Sequence, residues 1–213
     1  MKITIIYDNT AWKKELQSDW GFSCLVEAYG KNILFDTGTK GEILLSNMKK
    51  LNIDPKKIGE IFISHSHYDH IGGLQTFLEL NNNVDIWLPH HIPGIRVSEN
   101  KKVFEVTSPQ KMHEGIFSTG MLDEIEQSMC VETEKGVLIV AGCSHPSFSK
   151  MRNAASKFGK VYGILGGLHG TRPESLEGFE FICATHCTQY KDQIKKRFQK
   201  QYVEGGAGKV IEV

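Results

Sequence analysis

The sequence predicts an α+β fold, a four-layer αβ/βα sandwich in which two β-sheets pack together and helices cover their outer sides. Two observations carry this expectation. Strand-like segments come in runs at the start of each half of the chain, and helical stretches follow them. No low-complexity linker or short-period repeat interrupts the chain, and its 213 residues suit one domain over 1–213.

In the first half, residues 2–7, 22–28, 32–35 and 60–64 read as strands, rich in Ile, Phe and Val and bounded by Gly, Asn or Asp. Residues 40–51 place Ile43, Leu44, Met48 and Leu51 at helical spacing, with Pro55 beyond them. A second helix is expected over 73–80, stopped by Asn81-Asn82-Asn83. In the second half, strands are expected near 84–88, 102–107, 128–134 and 136–142. A helix over 146–158, a strand at 161–165, a short helix near 174–178 and a strand at 179–184 come next. A helix over 188–199 and a closing strand at 209–213 complete the chain.

Composition narrows the function classes. Twenty-five basic residues balance twenty-five acidic ones, so no global field draws the chain to nucleic acid or to an anionic membrane. No segment approaches the roughly 18 apolar residues of a membrane span, and the start, Met1-Lys2-Ile3-Thr4-Ile5-Ile6-Tyr7-Asp8, is too short in apolar residues for a signal peptide. The five cysteines form no regular framework, and their odd count argues against complete pairing. A reduced, cytoplasmic protein acting on a small molecule is expected, with the oligomeric state left open.

The segment that carries chemistry is Ser64-His65-Ser66-His67-Tyr68-Asp69-His70-Ile71-Gly72-Gly73-Leu74, between an apolar strand and a helix. Residues two apart in an extended stretch face the same way, so His65 and His67 can share one metal. The chain then turns, and Asp69 and His70 can face a second. Imidazole and carboxylate are donors that zinc accepts, and a catalytic site keeps a position for water.

This H-x-H-x-D-H segment resembles the signature of the metallo-β-lactamase superfamily. Phe35-Asp36-Thr37-Gly38, ahead of it, looks like the strand-end D-T-G of that fold, and Ala141-Gly142-Cys143-Ser144-His145, Gly166-Gly167-Leu168-His169 and Thr185-His186-Cys187-Thr188 follow it in order. With Asp8-Asn9 and Gly21-Phe22-Ser23, they resemble a branch described as similar to the archaeal dihydropterin ribofuranosylaminobenzene 5′-phosphate synthase. Members of that branch are typically longer in the middle. The resemblance implies two divalent transition-metal ions, zinc foremost with iron or manganese as alternatives. It places His65, His67 and His145 on the first ion, and Asp69, His70 and His186 on the second.

The pattern departs from the superfamily at Cys143, where most two-metal members carry a bridging aspartate. A thiolate there could ligate; the reading favoured from sequence is a small buried residue, with water bridging the metals. Asp36 is read as the acceptor behind a metal-bound imidazole, or else as a helix cap. His169, Asp8 and Asn9 are expected to line the substrate opening, whereas His90, His91 and His113 have no comparable context. Asp69 is the expected catalytic residue, orienting water or taking its proton while it ligates. The reaction expected first is metal-assisted hydrolysis of a small anionic ester, lactone or phosphodiester. A synthase or transferase acting on a phosphoribosyl substrate in pterin cofactor assembly is the alternative, and an RNA-processing nuclease the third. A flavodiiron-type reductase is disfavoured, since its Glu after the first histidine is absent: Ser66 and His67 stand there.

Overall fold

Strands buried on both faces are near-continuous apolar runs, and this chain has them in both sheets. In the computed structural model, which describes residues 1–213, the first sheet holds β1 (Lys2–Tyr7), β2 (Ser23–Ala28), β3 (Lys31–Phe35), β4 (Glu60–Phe62), β5 (Asp85–Leu88) and β6 (Val103–Glu105) in spatial order. The second holds β7 (Gln110–His113), β8 (Ile116–Ser118), β9 (Met129–Thr133), β10 (Gly136–Ala141), β11 (Val161–Gly167) and β12 (Phe181–Thr185), also in spatial order. The last strand, β13 (Val210–Glu212), returns to the first sheet beside β1. Pairing is antiparallel from β13 through β3 and parallel from β3 to β6. In the second sheet it is antiparallel from β7 to β10 and parallel from β10 to β12.

The two-residue period of each strand sorts its side chains between layers. Ile3 and Ile5 of β1, Phe35 of β3 and Phe62 of β4 pack between the sheets against Leu138, Val140 and Leu165. Phe35 and Phe62 stack there with ring centroids 5.3 Å apart. Ile6, Leu34 and Ile61 face outward beneath Leu44 and Met48 of α1 (Gly41–Lys50). The same layer takes the one-turn α2 (Tyr68–Ile71) and α3 (Leu74–Leu80), whose Phe77 is fully buried. Val137, Ile139 and Ile164 face the opposite side, under Met151 of α4 (Phe148–Ala155) and Ile194 of α5 (Lys191–Arg197). Each such side chain contributes roughly 1.5–3 kcal/mol by leaving water. The result is the four-layer αβ/βα sandwich that the sequence predicts. No helix is long and apolar enough to cross a membrane.

Several boundaries differ from the sequence reading. The β7–β8 hairpin occupies a stretch without a clear apolar alternation, and it forms the edge of the second sheet. The stretch over 68–71, expected as a turn, is a helical turn. The last helix begins at Lys191 rather than near Thr188, because Thr188 is tied down elsewhere. Its hydroxyl donates to the Thr185 carbonyl and accepts from the Leu168 N–H, so the chain wraps the end of β12 before turning into α5.

At the start of β4 the buried Glu60 joins the sheets. Its Oε2 accepts from Trp87 Nε1 at 2.8 Å and lies 2.7 Å from His113 Nε2 of β7, while Lys31 Nζ lies 3.2 Å from Oε1. Burial opposes ionisation, but these donors outweigh it and hold the Glu60 carboxyl below its usual range. A depressed carboxyl contributes stability above its unfolded pKa, lost as pH falls through the folded value. Glu60→Gln should therefore unfold more easily in urea at pH 7, by roughly 1–3 kcal/mol, and the gap to the wild type should close in acid. A gap that persists at low pH would assign the effect to packing instead.

Candidate metal centre

Parallel strands bring their C-terminal ends to one edge. β1 and β3 both run antiparallel to β2, and β4 runs parallel to β3, so Asp8-Asn9, Asp36-Thr37 and Ser64-His65 leave the first sheet together. Parallel β10, β11 and β12 deliver residues 142–145, Leu168-His169 and His186-Cys187 to the facing edge. Four non-glycine residues at these strand ends take left-handed backbone: Asp36 (φ 52°), Ser144 (61°), His169 (40°) and His186 (46°). Such conformations cost on the order of 1–3 kcal/mol each and persist where surrounding contacts enforce them. Gly142 is needed for a different reason. A Cβ there would stand 2.1 Å from Ser64 Oγ and 3.2 Å from Asp36 Oδ2, so the two edges meet only because this residue has no side chain.

Two clusters of ligand-type atoms result. His65, His67 and His145 form one; Asp69, His70, Cys143 and His186 form the other, with the atoms of each lying within 4.8 Å of one another. All six ligands implied by the resemblance are thus gathered in the sets assigned to them, and Cys143 stands among the second. Its Sγ is 3.2 Å from His70 Nε2.

Hydrogen bonds orient the imidazoles. Ser64 Oγ donates to Asp36 Oδ2 at 2.7 Å, so it must accept from His65 Nδ1 at 2.9 Å. His70 Nδ1 donates to Asp36 Oδ2 at 2.7 Å, His145 Nδ1 to Glu126 Oε2 at 3.0 Å, and His186 Nδ1 to Asn9 Oδ1 at 2.9 Å. Each bond fixes the tautomer that leaves Nε2 with a lone pair facing the cluster. The Nε2 atoms of His65 and His186 are buried with no hydrogen-bond partner, an arrangement that buried polar atoms rarely tolerate. His186 Nε2 lies 3.1 Å from Asp69 Oδ2 without the alignment of a hydrogen bond. Cations at the two clusters would supply the missing partners, and the nitrogen, oxygen and sulfur donor set fits transition metals.

The electrostatics suit the same role. Burial pushes His65 and His70 down to about 3, so both imidazoles are neutral donors at physiological pH. Burial opposes the charge on Asp69, yet its contacts with His186 and His70 keep that carboxyl well below the usual range. Burial raises Asp36 to about 8, with His65 and the Ser64 donors pulling the other way.

The remaining expected residues take distinct places. Asp8 and Asn9 lie behind the opening. Asp8 is buried and its Oδ1 accepts the His186 N–H at 2.8 Å; Asn9 Oδ1 accepts from Gly21 N and His186 Nδ1, and its amide donates to the His186 carbonyl. They position His186. His169 is exposed at the rim, its ring 5.1 Å from that of His145. Asp36 caps no helix; it is a buried acceptor for Ser64 and His70.

Three residues escaped the sequence reading. The buried Glu126 carboxylate accepts the backbone N–H groups of Gly142, Cys143, Ser144 and His145 at 2.9–3.1 Å, as well as His145 Nδ1. Burial disfavours its charge, but the His145 imidazole and these donors bring it down to about 2. Trp20, exposed at the rim, donates Nε1–H to Asp69 Oδ2 at 2.8 Å and tilts over His186 with centroids 5.1 Å apart. Cys187 hydrogen-bonds to Cys143, a contact that together with burial pushes the Cys143 thiol up. Cys187 stands in the Thr185–Thr188 segment without an assigned role, Trp20 sits in no motif, and Glu126 stands in an acidic run, Asp123-Glu124-Ile125-Glu126, that looks like solvent-exposed loop.

Glu126→Gln keeps one acceptor oxygen and loses the charge that holds His145. It should weaken divalent-cation binding roughly 10–100-fold, read by competition against a chromogenic chelator. Unchanged affinity would show that His145 is held without Glu126.

Residues 21–115 match the metallo-β-lactamase superfamily. Over nearly the whole chain, the protein is similar to the 7,8-dihydropterin-6-methyl-4-(β-D-ribofuranosyl)-aminobenzene-5′-phosphate synthase of Methanocaldococcus jannaschii. The two are 29% identical over 278 aligned residues, covering 98% of this chain and 95% of the relative. A shorter similarity joins it to ribonuclease Z of Treponema denticola, 42% identical over 72 residues, 34% of this chain and 22% of that enzyme. Among solved structures, a metal-dependent hydrolase of the β-lactamase superfamily superposes with a TM-score of 0.80 at 25% identity, covering 100% of this chain and 99% of the other. The chain has the metallo-β-lactamase fold, and the family model of that superfamily matches its residues 21–115.

Proposed function

We propose that the protein is a metal-dependent hydrolase with a dinuclear centre, acting on a small anionic ester, lactone or phosphodiester. The observation that carries this reading is the orientation of the histidines. The Nδ1 atoms of His65, His70, His145 and His186 are tied to acceptors, while the buried Nε2 atoms of His65 and His186 have no partner. His65, His67 and His145 would hold one cation; Asp69, His70 and His186, with Cys143, the other. Two divalent cations there, of the zinc type with iron or manganese as alternatives, would lower the pKa of water and polarise the electrophile.

The chain's own residues do the rest. Asp69 is a weak base, because its carboxyl sits well below the usual range, so it ligates and orients more than it takes protons. Trp20 Nε1–H fixes the Asp69 carboxylate from the rim and shields His186 on one side. His169 stands beside His145 and can donate to charge that develops on the substrate. The place of Cys143 beside His70 favours ligation over the purely structural role.

The similarity to the synthase supports a second reading, a synthase or transferase acting on a phosphoribosyl substrate, because it extends over 98% of this chain. Condensation of a phosphoribosyl substrate with an aminobenzoate, against a panel of esters, lactones and phosphodiesters, separates the two. The nuclease reading draws on similarities to ribonuclease Z that cover 30–63% of this chain and at most 39% of those enzymes, and a net charge of zero weakens it.

Protein purified without chelator should contain two transition-metal ions per chain by elemental analysis. His67→Ala should strip the first ion and abolish hydrolysis; His186→Ala should weaken the second. Saturation at one ion, with His186→Ala unchanged, would defeat the dinuclear assignment.

Cys143 gives a sharper test. If sulfur ligates, Cys143→Ser weakens the second ion, since a hydroxyl is a poor ligand at neutral pH, and Cys143→Asp preserves it. If the residue is only structural, serine leaves metal affinity unchanged and the buried aspartate is the damaging change.

A further inference from the structure

A cavity of about 490 Å³ opens beside the three-histidine cluster, in the wall between the loop after β10 and the loop after β11. His145 lines it on the side of the cluster, with Ser147, His169, Thr171, Arg172 and Ser175 among its other lining residues; no acidic residue lines it. The acids nearest in the chain have other partners. Asp123 pairs with Lys150, and Glu126 is enclosed by backbone N–H groups and His145. Glu174 faces Arg197, and Glu177 is engaged by Arg197 and, through its carbonyl, by Arg152. Arg172 alone among these arginines has neither a salt bridge nor a side-chain hydrogen bond. The α4 N-terminus, with Ser147 as its cap residue, adds its positive end to the same wall.

We propose that this cavity binds a phosphate monoester group of the substrate, used as a handle and not as the reacting centre. The inference rests on the hydrolase reading above, and it adds where the non-reacting end of the substrate lies. A guanidinium presents a planar fork that matches two oxygens of a phosphate, and the hydroxyls of Ser147, Thr171 and Ser175 can donate to the others. Because His145 belongs to both the cavity and the cluster, a phosphate bound by Arg172 stays within one small-molecule length of the candidate metals. Such an anchor supplies binding energy away from the bond that breaks, which a small substrate needs for alignment. The substrate class is therefore a small phosphorylated metabolite whose susceptible ester, lactone or second phosphoryl linkage lies toward the histidines.

The test uses the full-length, metal-loaded protein with methyl phosphate as the probe, titrated by calorimetry. Arg172→Ala should weaken methyl phosphate binding about tenfold or more, since a charge-assisted bidentate contact is lost. His186→Ala, which disturbs the second metal cluster, should leave that binding within about twofold. The exposed Arg172 side chain makes no contact that folding needs, and an unchanged melting temperature checks this. Unaltered binding in Arg172→Ala, or loss in His186→Ala alone, would place phosphate on the metals and overturn the handle. Metal content, measured on the same samples, reports separately on the hydrolase reading. Two bound metals with no Arg172-dependent phosphate site would sink only the handle, whereas an Arg172-dependent site on a protein that takes up no metal would sink the hydrolase reading.

Discussion

The arrangement of the candidate centre depends on a carboxylate that never faces solvent. Asp36, at the end of β3, accepts the Ser64 backbone N–H, the Ser64 hydroxyl and His70 Nδ1–H. Through Ser64 it also sets the tautomer of His65. One side chain therefore orients a histidine in each cluster, and it links the ends of β3 and β4 to the helical turn that bears His70. Burying a carboxylate is costly unless donors surround it. The left-handed backbone of Asp36 and the missing Cβ of Gly142 are the local concessions that let those donors converge.

The second sheet answers with Glu126, which does for residues 142–145 what Asp36 does for residues 64–70. The two acids differ in charge behaviour for a physical reason. Glu126 receives four backbone N–H groups and an imidazole, and it stays low at about 2. Asp36 has fewer donors for the same complete burial and rises to about 8. Donor number, more than depth, separates them. A cation in front of His70 and His65 would add the positive charge that Asp36 lacks. Metal binding and ionisation of the innermost acid would thereby be coupled.

Function enters through what surrounds this rigid base. Trp20 reaches over the rim from the loop after β1, and His169 and Arg172 stand on the loop after β11. The alignment with the archaeal synthase runs over 278 positions against 213 residues here, so that relative carries sequence this chain lacks. In superfolds of this kind the strand ends carry the chemistry and the loops select the substrate. The cavity beside His145 lies between two such loops, those after β10 and β11.

Much of the fold and most of the residues gathered at the candidate centre were legible in the chain alone. Apolar runs such as Val137-Leu138-Ile139-Val140 mark strands buried on both faces whatever their partners, because a two-residue period without polar interruption has no solvated side. The segment from Ser64 to Gly73 marks candidate metal ligands because donors, strand end and Gly-Gly turn are all local in sequence. Residues whose role depends on distant partners were not legible. Glu126 reads as loop acid, no sequence pattern marks Trp20, and Asp8 and Asn9 read as rim residues. Their roles arise where residues between 17 and 178 positions apart come within hydrogen-bond reach. Local propensity and periodicity determined the strands and the primary donors. Only the packing of one sheet edge against the other decided which groups hold those donors in place, since that choice depends on distances that no linear pattern encodes.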